Sequence, residues 1–163
     1  IFIGPCTAKK AEAQLDTVKP YIDAVLTFEE LQALFDSRDL DITTLPEDVL
    51  DNASYFGRIF ARSGGLSDAV AGGLKEQNID FDLKPCVCDG IEACRMALLK
   101  KSKNVLDANF IEGMACLGGC IGGAGCLTHG EKNKAEVDKY GKEAYEKTIS
   151  EAVSVLMAVG KKD

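Results

Sequence analysis

The segment Cys116-Leu117-Gly118-Gly119-Cys120-Ile121-Gly122-Gly123-Ala124-Gly125-Cys126 constrains this chain most. Two cysteines four positions apart lie among five glycines, and a third cysteine closes the stretch. Glycine lets backbone approach a bulky ligand closely and leaves N–H groups free to bond it. Thiolates in such a loop suit an iron–sulfur cluster, whose sulfides accept those N–H bonds. The plainer reading is a flexible turn with incidental thiols. Cysteine and glycine interleaved just after an apolar strand pattern, Phe110-Ile111 running into Met114-Ala115-Cys116, argue against it.

The rest of the chain places this loop in a fold. Ile1 to Gly4 forms a short strand closed by Pro5-Cys6, and Asp23 to Leu26 forms a second. Ile79, Phe81 and Leu83 alternate along a third strand over Ile79 to Val87, ended by Asp89-Gly90. Between the strands come helical patterns. Lys9 to Gln14 is a short helix or turn. Thr27 and Glu30 make a capping box that opens a helix with Phe28, Leu31, Leu34 and Phe35 on one face. Ser54 to Arg62 carries packing residues. Ser63-Gly64-Gly65 caps a helix containing Leu66, Ala69, Val70 and Leu74. Ile91 to Lys101 is helical, and Val137 to Val159 forms one long amphipathic helix ended by Gly160. Asp36 to Asn52 is acidic, contains Pro46 and is an exposed loop. Strands alternating with helices predict an α/β fold, a mostly parallel sheet flanked by helices. Chemistry in such folds gathers at the C-terminal strand ends, where both Cys6 and Cys116 fall.

The 163 residues suit a single domain. The formal net charge is −7, and no Lys/Arg patch interleaves with aromatic residues. This argues against nucleic acid and against an anionic membrane surface. No window reaches the length of a membrane span. Seven cysteines are odd in number and too few for a disulfide scaffold. They point to a reducing compartment, the cytoplasm, where clustered cysteines bind metal or do redox work. The abrupt strand at Ile1, with no Met, leads us to expect that residues 1–163 are the C-terminal piece of a longer protein.

Two segments together carry a resemblance. Pro5-Cys6-Thr7-Ala8-Lys9-Lys10-Ala11-Glu12 and Phe110-Ile111-Glu112-Gly113-Met114-Ala115-Cys116-Leu117-Gly118-Gly119-Cys120 resemble the second and third signature motifs of iron-only ([FeFe]) hydrogenases. Ser63 to Val70 and Asp23 to Leu31 also resemble segments of that family. The resemblance implies one lobe of the hydrogenase catalytic fold and an H-cluster, a [4Fe-4S] cluster bridged by one cysteine to a diiron subcluster. It implies that Cys6, Cys116 and Cys120 bind the cubane, with Cys120 as the bridge. Lys9 matches the lysine that bonds a cyanide of the diiron unit, and Met114 matches the methionine packed against it. Glu12 matches an acidic residue one layer further out. The family's first motif, with the fourth cubane ligand and the proton-relaying cysteine, lies upstream of this chain. The upstream segment of the same protein and a ferredoxin-like electron-transfer partner are therefore the implied partners. The fragment alone is expected to be inactive, while the complete protein interconverts protons and electrons with H2, or senses it. Gly4 before Pro5, and Gly122 to Leu127 where the family has a glycine run ending in Gln-Pro, resemble divergent, sensory branches.

A relative without the diiron unit, serving iron–sulfur assembly or interaction, is the alternative. Lys9 and Met114 argue against it. Cys86, Cys88 and Cys94 match no standard zinc spacing and are expected to be buried and inert. His129, the single histidine, is a solvated loop residue. Gly118 to Gly125 lacks the Gly-Lys-Ser/Thr of a phosphate-binding loop.

Overall fold

The computed structural model describes residues 1–48 and 53–159. Two βαβ units organise it. In the first, β1 (Phe2–Ile3) and β2 (Val25–Leu26) are joined through α1 (Ala8–Glu12) and pair in parallel, Phe2 opposite Val25. In the second, β3 (Pro85–Asp89) and β4 (Phe110–Met114) are joined through α5 (Ile91–Ser102) and pair in parallel, Pro85 opposite Phe110 through Asp89 opposite Met114. The expected parallel α/β pattern is present, divided into two separate strand pairs. Between them run α2 (Phe28–Asp36), a 3-10 turn at Ile42–Thr44, α3 (Tyr55–Ile59) and α4 (Gly65–Glu76). After them come a 3-10 turn at Cys120–Gly122, α6 (Lys132–Lys142) and α7 (Ile149–Val159).

Local chemistry sets the boundaries. Both halves of the Thr27 capping box form: Glu30 N–H donates to Thr27 Oγ1 at 3.2 Å, and Thr27 N–H donates to Glu30 Oε2 at 2.9 Å. Helices α2, α4 and α5 are each followed by a left-handed residue, Asp39, Asn78 and Asn104. The next N–H then reaches back five residues, as in Ile79 to the Leu74 carbonyl at 2.9 Å. Asn and Asp tolerate that conformation better than other non-glycine residues. The core is built of small side chains around Ile59, with Ala69, Ala97, Ala108 and Ala144 buried.

Three expectations are corrected. The third strand begins at Pro85, not Ile79. β4 starts at Phe110 and offers no ladder further upstream, so the Asn109 side chain holds the approach instead. It accepts from Lys84 N–H and donates to the Asp82 carbonyl, each at 2.7 Å. The single helix over Val137 to Val159 is two. A second capping box, Thr148 with Glu151, starts α7. Glu76 reinforces it by accepting from the Ile149 and Ser150 N–H groups at 2.8 and 3.0 Å. Finally, Ser63 does not cap α4; a carboxylate from β4 does. Gly160 and 49–52 of the acidic loop lie outside the described residues.

Candidate iron–sulfur site

The C-terminal ends of β1 and β4 lead into the two cysteine loops. Gly4 N–H donates to the Leu26 carbonyl at 3.0 Å, after which Pro5 and Cys6 leave the strand pair. Met114, half-buried, is the last residue of β4, and Cys116 follows two positions on. Gly118 N–H donates to Asp89 Oδ1 at 2.7 Å, which ties the glycine-rich loop to the end of β3. Ser63 N–H donates to the Gly118 carbonyl at 3.0 Å, and Ile121 N–H to the Ala61 carbonyl at 3.3 Å. The loop is thereby laid onto the turn between α3 and α4.

One bond joins the two cysteine loops directly. Gly125 N–H donates to the Pro5 carbonyl at 2.9 Å. A Cβ at Gly123 would lie 2.5 Å from that same carbonyl oxygen, so only glycine permits the approach. Gly119 has φ +86° and would place a Cβ 2.5 Å from Ser63 N. The glycines here serve close backbone contact, and the loop is hydrogen-bonded along its length.

The thiols respond to one another. The Cys120 residue is exposed as a whole, yet packing around its sulfur pushes its pKa up, and the thiolate charges of Cys6 and Cys116 push it further. Lys9 opposes this. Its ammonium donates to Glu12 Oε2 at 2.5 Å, and its own pKa is raised by that bond first, then by the charges of Glu12, Cys6 and Cys120. Cys6, Cys120, Lys9 and Glu12 thus form one electrostatic group, with Cys116 beside it. Among the described residues, no three His, Cys, Asp or Glu side chains converge as ligands of a single ion. In a cubane each thiolate binds a different iron. The donor set and the glycine cradle fit such a cluster.

Two buried residues that frame the site had no role in the sequence analysis. Glu112, fully buried in β4, accepts from Gly64 N–H and Ser67 N–H at 2.8 Å each and from Ser67 Oγ at 2.6 Å. It caps α4 from a distant strand and satisfies donors that helix starts leave unpaired. Arg62 is also buried and bonds Asp138 at 2.5 Å and Asp68 at 2.8 Å. Burial opposes its charge, and the two carboxylates more than compensate. The signal for Glu112 was a carboxylate on an otherwise apolar strand.

Cys86, Cys88 and Cys94 form a second group, but of the three expected to be buried only Cys88 is; Cys86 and Cys94 are half-buried. Cys86 and Cys88 sulfurs are 3.8 Å apart on one face of β3. Cys94 from α5 donates to the Met114 carbonyl at 3.5 Å. His129 is exposed and lines an open groove of about 780 Å³ with Leu117, Ile121 and Lys134, on a side of the loop where no cysteine contributes to the lining.

The family model of the iron only hydrogenase large subunit, C-terminal domain, matches residues 1–124. The chain belongs to this family. It is 26% identical over 172 residues to iron hydrogenase 1 of Clostridium pasteurianum, covering 85% of this chain and 30% of that protein. It is 30% identical over 159 residues to the periplasmic [Fe] hydrogenase large subunit of Nitratidesulfovibrio vulgaris, covering 77% and 38%. The chain therefore spans well under half the length of these relatives. An [FeFe]-hydrogenase structure describing oxygen damage to the 2Fe subcluster of the H cluster superposes with a TM-score of 0.63 at 18% identity. It covers 98% of this chain and 56% of the other. An [FeFe]-hydrogenase from Chlamydomonas reinhardtii gives 0.62 at 19% identity, covering 98% and 57%. These likenesses establish the hydrogenase catalytic fold. No helix among the described residues is long and apolar enough to cross a membrane.

Proposed function

We propose that the protein carrying this chain acts on H2, and that Cys6, Cys116 and Cys120 bind the [4Fe-4S] part of an H-cluster. The observation that carries this is the Gly125–Pro5 bond, which joins the two cysteine loops beside one shared lysine. The cluster, with its diiron subcluster, would supply electron storage and the chemistry of hydrogen itself. The chain's part is to ligate, orient and neutralise. Cys120 would hold both parts of the cluster. Lys9, paired with Glu12 at 2.5 Å, would neutralise anionic ligands of the diiron unit. Met114, at the end of β4, would pack beside that unit. An upstream segment of the same protein and a ferredoxin-like electron carrier complete the system.

The test is hydrogen evolution and uptake by the complete, maturated protein, with infrared detection of the diiron unit. Bands from metal-bound cyanide and carbonyl are expected. Turnover marks a catalytic hydrogenase, and bands that respond to H2 without turnover mark a sensor. Absence of the bands in protein matured alongside an active control would overturn the proposal.

A further inference from the structure

The three cysteines between β3 and α5 have no part in the cluster site, and their placement gives them one of their own. We propose that Cys86, Cys88 and Cys94 form a thiolate site for a soft monovalent metal ion, Cu(I).

Side chains alternate across a strand, so Cys86 and Cys88 share one face of β3. Cys88 stands opposite Gly113 in the parallel pair, and the face continues onto β4 there. Cys94 reaches the same face from α5: a Cβ at Gly113 would lie 3.3 Å from its sulfur. The bare backbone at Gly113 leaves the room that Cys94 fills. Its sulfur lies 3.8 Å from the Cys88 carbonyl oxygen and 3.5 Å from that of Met114. Cys88 is buried, while Cys86 and Cys94 are half-buried, so solvent reaches the group from both sides of it.

Spacing decides between two chemistries. The Cys86 and Cys88 sulfurs are 3.8 Å apart. Two thiolates on one ion at roughly 2.3 Å, opened by about 110–120°, stand about 3.8–4.0 Å apart. The pair therefore accepts an ion with almost no movement. A disulfide would have to close the same gap to about 2.05 Å. An extended strand holds the two positions roughly 6.6 Å apart along its axis, which opposes that closure.

Coordination number decides the ion. Structural zinc takes four ligands. Among the described residues no such set converges, and the carboxylates of β3 and β4 are engaged elsewhere: Asp89 with Gly118, Glu112 with Gly64 and Ser67. Soft thiolates select Cu(I), which is satisfied by two or three of them. Cys86 and Cys88 supply the pair, and Cys94 joins by turning its thiol away from the Met114 carbonyl. That carbonyl keeps the Gly90 N–H as a donor at 2.9 Å, so no acceptor is orphaned. Each ligating thiol gives its proton to solvent, and copper enters and stays as Cu(I), so no electron moves.

The test is anaerobic titration with Cu(I) against a Cu(I)-specific chelator, bathocuproine disulfonate. The cysteine loops also offer thiols, so the reference is the chain carrying Cys6→Ser, Cys116→Ser and Cys120→Ser. It is expected to hold a single Cu(I). Adding Cys86→Ser and Cys88→Ser is expected to abolish that binding. Adding Cys94→Ser instead is expected to weaken it by about ten- to a hundredfold, with one sulfur neighbour of copper lost in X-ray absorption. Circular dichroism checks the folding of each variant. In the unsubstituted chain, saturating Cu(I) should shield Cys86 and Cys94 from alkylation, read by mass spectrometry, which keeps the site testable where a variant fails to fold. A folded reference chain that binds no Cu(I), Cu(I) retained without Cys86 and Cys88, or unchanged alkylation of Cys86 and Cys94 overturns the site. Unchanged affinity after Cys94→Ser overturns the three-thiolate set.

Discussion

The two thiol groups of this chain stand in different settings. Cys86, Cys88 and Cys94 lie between β3 and α5, and their sulfurs bond each other and nearby carbonyls. Burial pushes the Cys88 thiol up to about 11, with Cys86 adding to the effect. Cys6, Cys116 and Cys120 lie on loops that follow strand ends, and Cys6 and Cys120 feel the charge of Lys9. Burial raises the thiols of both Cys88 and Cys120, but only Cys120 has a lysine, Lys9, whose charge opposes the rise. Position at the strand's C-terminal end, rather than cysteine spacing, separates the two groups.

The largest expected effect tests that separation directly. Cys116→Ser or Cys120→Ser in the reconstituted protein should abolish most cubane absorbance, while Cys86→Ser should leave it intact. Equal losses in both sets would erase the distinction.

The next effect concerns the lock between β4 and α4. Glu112→Ala removes a buried acceptor from three donors, and each unsatisfied donor costs roughly 1–3 kcal/mol. A stability loss of about 3 kcal/mol or more is expected in denaturant unfolding. A loss below about 1 kcal/mol would show that water replaces the carboxylate.

A pH experiment sharpens the contrast. Because the folded state holds the Cys88 proton more tightly than the ordinary thiol value of 9.0, its contribution to stability is complete below about pH 9. That contribution is lost as the pH rises toward about 11. Alkylation followed by mass spectrometry should show Cys88 reacting only near the upper end of that window. Labelling with a midpoint at or below the ordinary value would contradict its burial.

The smallest effect is on the fold at Lys9. Its pair with Glu12 is well exposed, with side chains 40% and 45% accessible, so Lys9→Ala should change stability by less than about 1 kcal/mol. Infrared bands of the diiron unit in the complete protein should nevertheless weaken markedly. A large melting shift would show that Lys9 holds the structure instead.

Much of this was legible in the residues. The Thr27 capping box, the βα alternation and the turns that carry the cysteine loops rest on local patterns, in which side-chain chemistry and neighbours a few positions away decide the outcome. The second capping box, Thr148 with Glu151, was equally local but lay inside an apolar periodicity that continued across it. Asn78 and Asn104 end helices where a glycine is the usual signal.

What the sequence alone determined is therefore the parallel α/β character and the family to which the Cys6 and Cys116–Cys120 motifs belong. Tertiary structure decided the rest. It divided the strands into two pairs, turned Glu112 into the cap of a helix 45 positions away, and seated Cys126 against the turn after Cys120. The physical reason is range. Capping and periodicity act within a turn or two of chain, whereas a buried carboxylate finds its donors, and a thiol its neighbours, only after distant segments have packed.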